Sequence, residues 1–388
     1  MGAFKKVCLI TPNHISSDPR LVKEAIALER HGYGVHLVFT QNLAYLADRD
    51  LAILQTHPQW TYSVLDWTGN SLQSQFRRFY SGFLLKLSSI FTRYRTPIFL
   101  SCITLNRHFL WQLRAAKKAS ADLYIAHNLG ALPVAVFAAR ALEAKAGFDA
   151  EDFHRQEESD VLDSPEVVNK MVIENRFIPL VSHFTAASPL IGEAYSKLYP
   201  EQEQPITLLN VFPRTKLSRK EAEKKSSVLR LFWFSQTVGR NRGIEDVIQA
   251  ITACSPGIEL HLLGSCSETD KQFFYDLLAS YGGCSQCMYF YPPIPETEIF
   301  ALANRFDVGL ATETGVPYNR EICLTNKIFT YIQSGLAVVA SDTLAQRKLL
   351  HQYNNVGFLY PKGSVSGLAR VLRHYVAHPD LLKAHKVS

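Results

Sequence analysis

The sequence predicts an α/β chain built from two halves, each a mainly parallel sheet wrapped by helices. Three observations carry that expectation. Short apolar runs of strand length alternate with helix-length amphipathic stretches along the whole chain. One charged, Ser-bearing segment at residues 213–227, with its LSRKEAEKKSS tract, interrupts the alternation and shows no apolar period. The 388 residues, 47% of them hydrophobic, are enough to fill two cores and leave no room for extensive disorder.

The elements follow in order. Residues 7–10 form a first buried strand, followed by a loop at 11–18. Asp18 before Pro19 marks a helix start over 19–30, an acceptor side chain at the N-cap with proline at the first helical position. Strands are expected at 35–39 and 123–126, a helix at 132–142, and short strands at 184–187 and 207–209. After the charged segment, a strand at 229–234 restarts the pattern. A loop at 235–243, a helix at 244–252, a strand at 258–263 and a helix at 270–280 come next. Strand 288–291 and helix 296–304 precede a unit spanning 307–342. There the apolar run 308–311 ends in a Thr-, Gly- and Pro-bearing loop, Thr325 opens a helix that Gly335 closes, and 337–340 is a second buried strand. Domains of 1–212 and 228–388 result, with the last helix free to pack back on the first. Two Rossmann-like sheets joined this way place a cleft at the carboxyl ends of their strands.

Composition narrows the function. Lys and Arg total 41 against 35 Asp and Glu, a net charge of +6. That mild excess suits phosphate-bearing ligands or an acidic membrane surface, and no clustered motif argues for nucleic acid. Seven scattered Cys are an odd number and argue for a reducing cytoplasm over a disulfide framework. Cys284 and Cys287, with Cys266 upstream, fall short of the four ligands of a structural zinc site. The opening residues read as a strand, not a signal peptide, and no run approaches the ~20 apolar residues of a membrane span.

Two loops carry chemistry. The helix that starts at Thr325 offers unpaired N–H groups and a positive dipole end, to which Asn326 and Lys327 add a donor and a full charge. Loop 235–243 holds Gln236, Thr237, Gly239, Arg240, Arg242 and Gly243. Its glycines permit close backbone approach and its arginines suit a diphosphate. Each loop alone also suits an ordinary turn with a solvated cation. Together in one half they point to an anionic ligand.

With these residues in view, the chain resembles the GT-B nucleotide-sugar glycosyltransferases, and among them the large retaining family 4. The stretch SSDPRLVKEAIALERHGYGVHLV is similar to that family's opening helix and second strand. Residues 122–128, ending in His127 and Asn128, resemble its strand with a cleft histidine. SQTVGRNRG resembles its donor-phosphate loop, and LTNKIFTYIQSGLAVVASD its donor helix. The resemblance implies transfer of a hexose from a nucleoside diphosphate sugar to a hydroxyl of a glycan or lipid-linked acceptor, with retention, in polysaccharide biosynthesis. It implies no cofactor and no metal. It assigns donor binding to Arg242, Lys327, Asn326, Gln236, Thr237, Gly239, Arg240, Glu321 and Thr325, and contact with the sugar to His127. It also implies an acidic pair at 322 and 330, the second on the ribose. Those positions hold Ile322 and Thr330, with Glu321 adjacent to the first. Two alternatives stay in play: an epimerase or hydrolase of nucleotide sugars on the same fold, and a silent nucleotide-sugar binding protein, which the missing acids keep open.

In the first half, Asp149, Glu151, Asp152 and His154 cluster near a strand end. Glu151 and Asp152 are candidates to polarise or deprotonate an acceptor hydroxyl, although a solvated turn explains the same residues. Asp48-Arg49-Asp50 spells an acidic metal motif but lies in a helical pattern with no strand before it. Residues 76–118 carry nine Lys and Arg and no acid, interleaved with aromatics. That composition fits either a solvated basic face or helices on an anionic membrane at the cytoplasmic side.

Overall fold

The structure, a computed structural model, describes residues 5–69, 72–91, 97–213, 228–254 and 257–386. The chain divides into two compact units, Met1–Leu208 with Pro317–Asn319, and Leu209–Val316 with Arg320–Ser388. Residues 214–227 of the charged segment lie outside the described residues.

The first unit is a parallel sheet of β1 (Lys6–Ile10), β2 (Gly34–Gln41), β3 (Thr61–Asp66), β4 (Leu123–His127), β5 (Lys145–Ala150), β6 (His183–Ala186) and β7 (Ile206–Thr207). Their order is β3-β2-β1-β4-β5-β6-β7. Val7 pairs with Val35 on one side and Leu123 on the other, so β1 is an inner strand of the sheet, next to the central β4. Val7, Leu9, Leu37, Phe39 and Ile125 are buried together with Leu21 and Ala25 of the helix Pro19–Arg30. That helix begins as its sequence indicates: Pro19 is in its first turn and the Asp18 carboxylate accepts from Leu21 N at 3.1 Å. The Ala44–Thr56 helix carries Asp50 fully buried, where it meets His14 Nδ1 at 2.7 Å and Ser16 N at 2.8 Å. Asp50 therefore braces the loop after β1.

The second unit is a parallel sheet of β8 (Leu229–Thr237), β9 (Ile258–Ser265), β10 (Met288–Tyr291), β11 (Val308–Ala311), β12 (Ala337–Ser341) and β13 (Gly357–Tyr360). The order is β10-β9-β8-β11-β12-β13. Leu231, Trp233, Leu260, Leu262, Leu310 and Val339 form its core with Ile248 and Leu372 of the flanking helices Ile244–Thr252 and Val365–Ala377. The last helix, Pro379–Lys386, stays in this unit. It packs on β12, and Lys386 Nζ meets Asp307 Oδ1 at 2.7 Å. Asp307 also accepts from Arg230 N at 2.9 Å, so one carboxylate joins this helix to the start of β8.

Both sheets reverse their strand order beside their first strand, between β1 and β4 and between β8 and β11. At such a point the loops leaving neighbouring strands turn to opposite faces and open a crevice. Candidate site residues of each unit lie near these loops.

Candidate functional site

In the second unit, the crevice is flanked by the loop after β8 and the residues after β11. Gly243 ends the first loop with φ +78°, and a Cβ there would lie 2.7 Å from the Thr312 carbonyl oxygen and Cβ. Only glycine fits this close approach of the two loops. Thr312 Oγ1 donates to the Arg242 carbonyl at 2.9 Å and secures the same contact. The exposed Arg242 side chain donates from Nη1 to Ser235 Oγ at 2.9 Å, and no carboxylate pairs with it among the described residues. Arg240 differs. It is ion-paired with Asp270 at 3.0 Å and lies 4.0 Å above the Phe273 ring, which commits it to the helix Glu268–Ser280. Of the two arginines of this loop, Arg240 is thus engaged by Asp270 and Arg242 by Ser235. Gln236 and Thr237 are the exposed end of β8, not loop residues, and Gly239 adopts an ordinary backbone with open space around it.

Glu313, two residues past β11, is the acid that sequence reasoning missed. Its carboxylate is 8% exposed and sits 3.1 Å from Lys327 Nζ and 3.6 Å from Arg320 Nη1. Burial pushes this carboxyl up, but the two cations and the Lys327 hydrogen bond outweigh burial and leave it below its ordinary range. Ser341 Oγ donates to the Glu313 carbonyl at 2.6 Å and fixes its backbone. Lys327 Nζ also stands 5.1 Å from the Trp233 ring centroid. Lys327 and Asn326 open the helix Asn326–Gln333, where Thr325 at the N-cap makes no side-chain cap bond. Its first-turn amides are therefore left without a side-chain acceptor at that cap, the arrangement that favours an anion.

The two positions where the resemblance implies acids are both buried. Ile322 is in the core, and Thr330 Oγ1 bonds back to the Asn326 carbonyl at 2.9 Å. Glu321 is committed to structure: it is ion-paired with Lys362 and accepts from Leu344 N at 3.0 Å at the start of the helix Leu344–Gln352.

In the first unit, His127 closes β4 and is completely buried. Nε2 lies 2.7 Å from Glu24 Oε2, and Nδ1 lies 3.3 Å from Glu151 Oε1 and 3.4 Å from Asp149 Oδ2. Arg20 grips Asp149 with Nε at 2.7 Å and Nη2 at 2.6 Å, and Thr185 Oγ1 donates to Asp149 at 2.6 Å. Burial lowers the His127 imidazole, but its bonds to Asp149, Glu151 and Glu24 outweigh burial and hold it well above its ordinary value. Burial raises Asp149, and the bonds from His127 and Arg20 reverse that and drive it far down. Asp18 is raised by burial and then by the neighbouring Glu151 charge. The result is a protonated imidazole clamped among carboxylates, with both ring nitrogens engaged. Glu151 and Glu24, with side chains 21% and 20% exposed, are its partly open members.

Asp152 lies apart from this clamp. Its carboxylate accepts from Asn319 Nδ2 at 2.6 Å, within the same unit. His154 is buried against Glu157 at 3.0 Å. Of the three acids proposed near this strand end, the structure brings Asp149 and Glu151 to His127 and leaves Asp152 elsewhere. Asp18, Arg20 and Glu24 were missed. Their one signal was the spacing of Arg20 and Glu24, four apart on the face that starts from the Asp18 cap. Among the described residues, the grouping whose ligand atoms converge closely enough for a metal ion is Asp18, His127 and Glu151, and the cysteines contribute none.

No family model matches this chain, and no curated protein matches it in sequence. Solved structures do match. The Anabaena protein HepE in complex with UDP superposes with a TM-score of 0.68 at 15% identity, over 99% of this chain and 93% of that one. Sucrose-phosphate synthase from Thermosynechococcus elongatus gives a TM-score of 0.64 at 12% identity, over 98% and 92% of the two chains. A putative UDP-N-acetylglucosamine 2-epimerase from Listeria monocytogenes gives 0.55 at 11%, over 99% and 91%. These likenesses span both units and both parallel sheets, and they show that the chain has the GT-B fold.

Proposed function

We propose that this protein is a glycosyltransferase that moves a hexose from a nucleoside diphosphate sugar to a hydroxyl of a glycan or lipid-linked acceptor, with retention at the sugar carbon. The observation that carries the reading is the anion site of the second unit. Arg242, without a carboxylate partner among the described residues, shares one Rossmann-like unit with Lys327 and a helix start whose N-cap side chain bonds none of its amides. Fixed donors of this kind stabilise charge as it develops on a leaving diphosphate, and they act without a metal. The GT-B fold and the UDP bound to HepE support the same reading.

In the first unit, His127 works as a fixed cation and not as a base, because its proton is held by neighbouring carboxylates. Glu151 is the partly open carboxylate beside it and the better candidate to meet an acceptor hydroxyl. Asp152, engaged with Asn319, takes no direct part.

The test is a thermal-shift screen over nucleoside diphosphates and their sugars, followed by product analysis with and without candidate acceptors. A ligand present at 100 times its dissociation constant adds about 2.7 kcal/mol. Transfer that needs an acceptor, with the anomeric configuration kept by NMR, supports the proposal. A changed sugar formed from donor alone makes the protein an epimerase, a reading favoured by the Listeria likeness. No shift with any nucleoside diphosphate removes the donor site.

A further inference from the structure

The helix Leu72–Phe91 exposes a row of aromatic side chains. Phe76, Phe79, Tyr80 and Phe83 recur at the three- and four-residue spacing that lines one helical face. They are 68%, 75%, 52% and 56% exposed. The opposite face is half-buried and carries Ser74, Arg78, Ser81, Gly82 and Leu85. Arg107 Nη2 donates to Ser81 Oγ at 2.9 Å and to the Arg78 carbonyl at 3.2 Å, and it would touch a Cβ at Gly82 at 3.6 Å. Arg78 in turn donates to the carbonyls of Trp67 and Gly69, and the Arg107 guanidinium lies 4.4 Å from the Trp67 ring centroid. Thus the helix is anchored by this half-buried face, against the Ile98–Leu105 helix and the Trp67–Arg107 stack, and leaves its aromatic face in water. Contiguous exposed apolar surface of this kind marks a partner or a membrane.

The charge around it selects between them. From residue 67 to residue 121 the sequence holds nine Lys and Arg and no Asp or Glu. Arg107 turns inward, and Arg93 and Arg95 lie outside the described residues, but Lys86 on this helix is exposed, as are Arg114, Lys117 and Lys118. A second copy of the chain would set one cationic surface against another. An anionic lipid surface complements both features, because aromatic rings sit at the headgroup level and cations meet the acidic headgroups. The mode is docking and not insertion, since no helix among the described residues is long and apolar enough to cross a membrane. We infer that the Leu72–Phe91 helix docks the protein on an anionic bilayer through Phe76, Phe79, Tyr80 and Phe83. This docking stands independently of the reaction proposed above.

Vesicle flotation of the full chain tests it. The protein should float with phosphatidylglycerol–phosphatidylcholine vesicles at low salt, stay behind with phosphatidylcholine alone, and be released by high salt. The double variant Phe79→Ser, Phe83→Ser should bind at least about tenfold more weakly. It should keep its melting temperature, because both side chains are exposed. Lys86→Gln should weaken binding about fivefold. Absence of flotation with anionic vesicles at low salt overturns the inference, as does equal flotation of wild type and double variant. A dimer by light scattering that the double variant converts to monomer, without vesicle binding, would make this face a contact between copies instead.

Discussion

His127 Nε2 stands 2.7 Å from Glu24 Oε2, a bond that ties the end of β4 to the second turn of the Pro19–Arg30 helix. Deleting the imidazole leaves buried carboxylates without their cation. His127→Ala should therefore cost stability as well as any activity, on the order of 3 kcal/mol, the lower part of the range for breaking a buried charge pair. Urea denaturation checks it. Unchanged stability would mean that the imidazole holds nothing together.

Arg242 and Lys327 should separate under mutation. Replacing either with Ala is expected to weaken binding of a nucleoside diphosphate by about 1.5–3 kcal/mol, the worth of a charge-assisted hydrogen bond. Arg242→Ala should leave the melting temperature unchanged, since its side chain is exposed and its bond is to Ser235. Lys327→Ala should lower it as well, because Glu313 loses a partner. Titration calorimetry with UDP and thermal melts of both variants decide the matter. Full affinity in both would remove the diphosphate site from these loops.

His154 gives the first unit a pH dependence. Burial lowers its imidazole, but the bond to Glu157 and the nearby Asp152 and Glu174 raise it to about 9 from 6.5. A group raised on folding adds stability that is complete below the unfolded value and is lost as pH rises through the folded one. Stability should thus decline between about pH 6.5 and 9. His154→Gln should reduce that slope in urea melts across the window. The slope will not vanish, because the His127 imidazole is raised too and adds the same sign. A slope identical in variant and wild type would count against the Glu157 pairing.

Gly243→Ala meets both strain and collision. Its φ of +78° is disfavoured for side-chain-bearing residues, and the new Cβ would fall 2.7 Å from the Thr312 backbone. The cost should exceed about 1 kcal/mol, with diphosphate affinity falling in parallel as Arg242 is displaced. Chemical denaturation together with UDP titration measures both.

The sequence made the second sheet readable because its strands are buried on both faces and appear as unbroken apolar runs. Val308–Ala311 and Ala337–Ser341 are fully buried. Thr61–Asp66 and Gly357–Tyr360 are edge strands with open faces, and neither run stands out in the chain. The helix start at Asn326 and the glycine at 243 were legible from local backbone chemistry alone. Glu313 was not, because counting back from Gly335 leads to Ile322 and Thr330, whereas the acid beside Lys327 arrives from the end of a neighbouring strand. The clamp on His127 was hidden for a similar reason. Glu24 and Arg20 lie inside a helix whose local pattern looks solvated, and only the approach of that helix to the ends of β4 and β5 buries them.

Glu313 gives the helix start at Asn326 a resident counter-ion. An arriving anion does not find a bare ammonium; it competes with a carboxylate already 3.1 Å from Lys327. Coulombic attraction grows with the charge of the newcomer, while the resident carboxylate stays the same. Singly charged anions therefore gain little by entering, and ligands that carry several charges on adjoining oxygens gain the most. Under the proposed function, Glu313 would make this helix start favour a ligand with several charges over a singly charged anion.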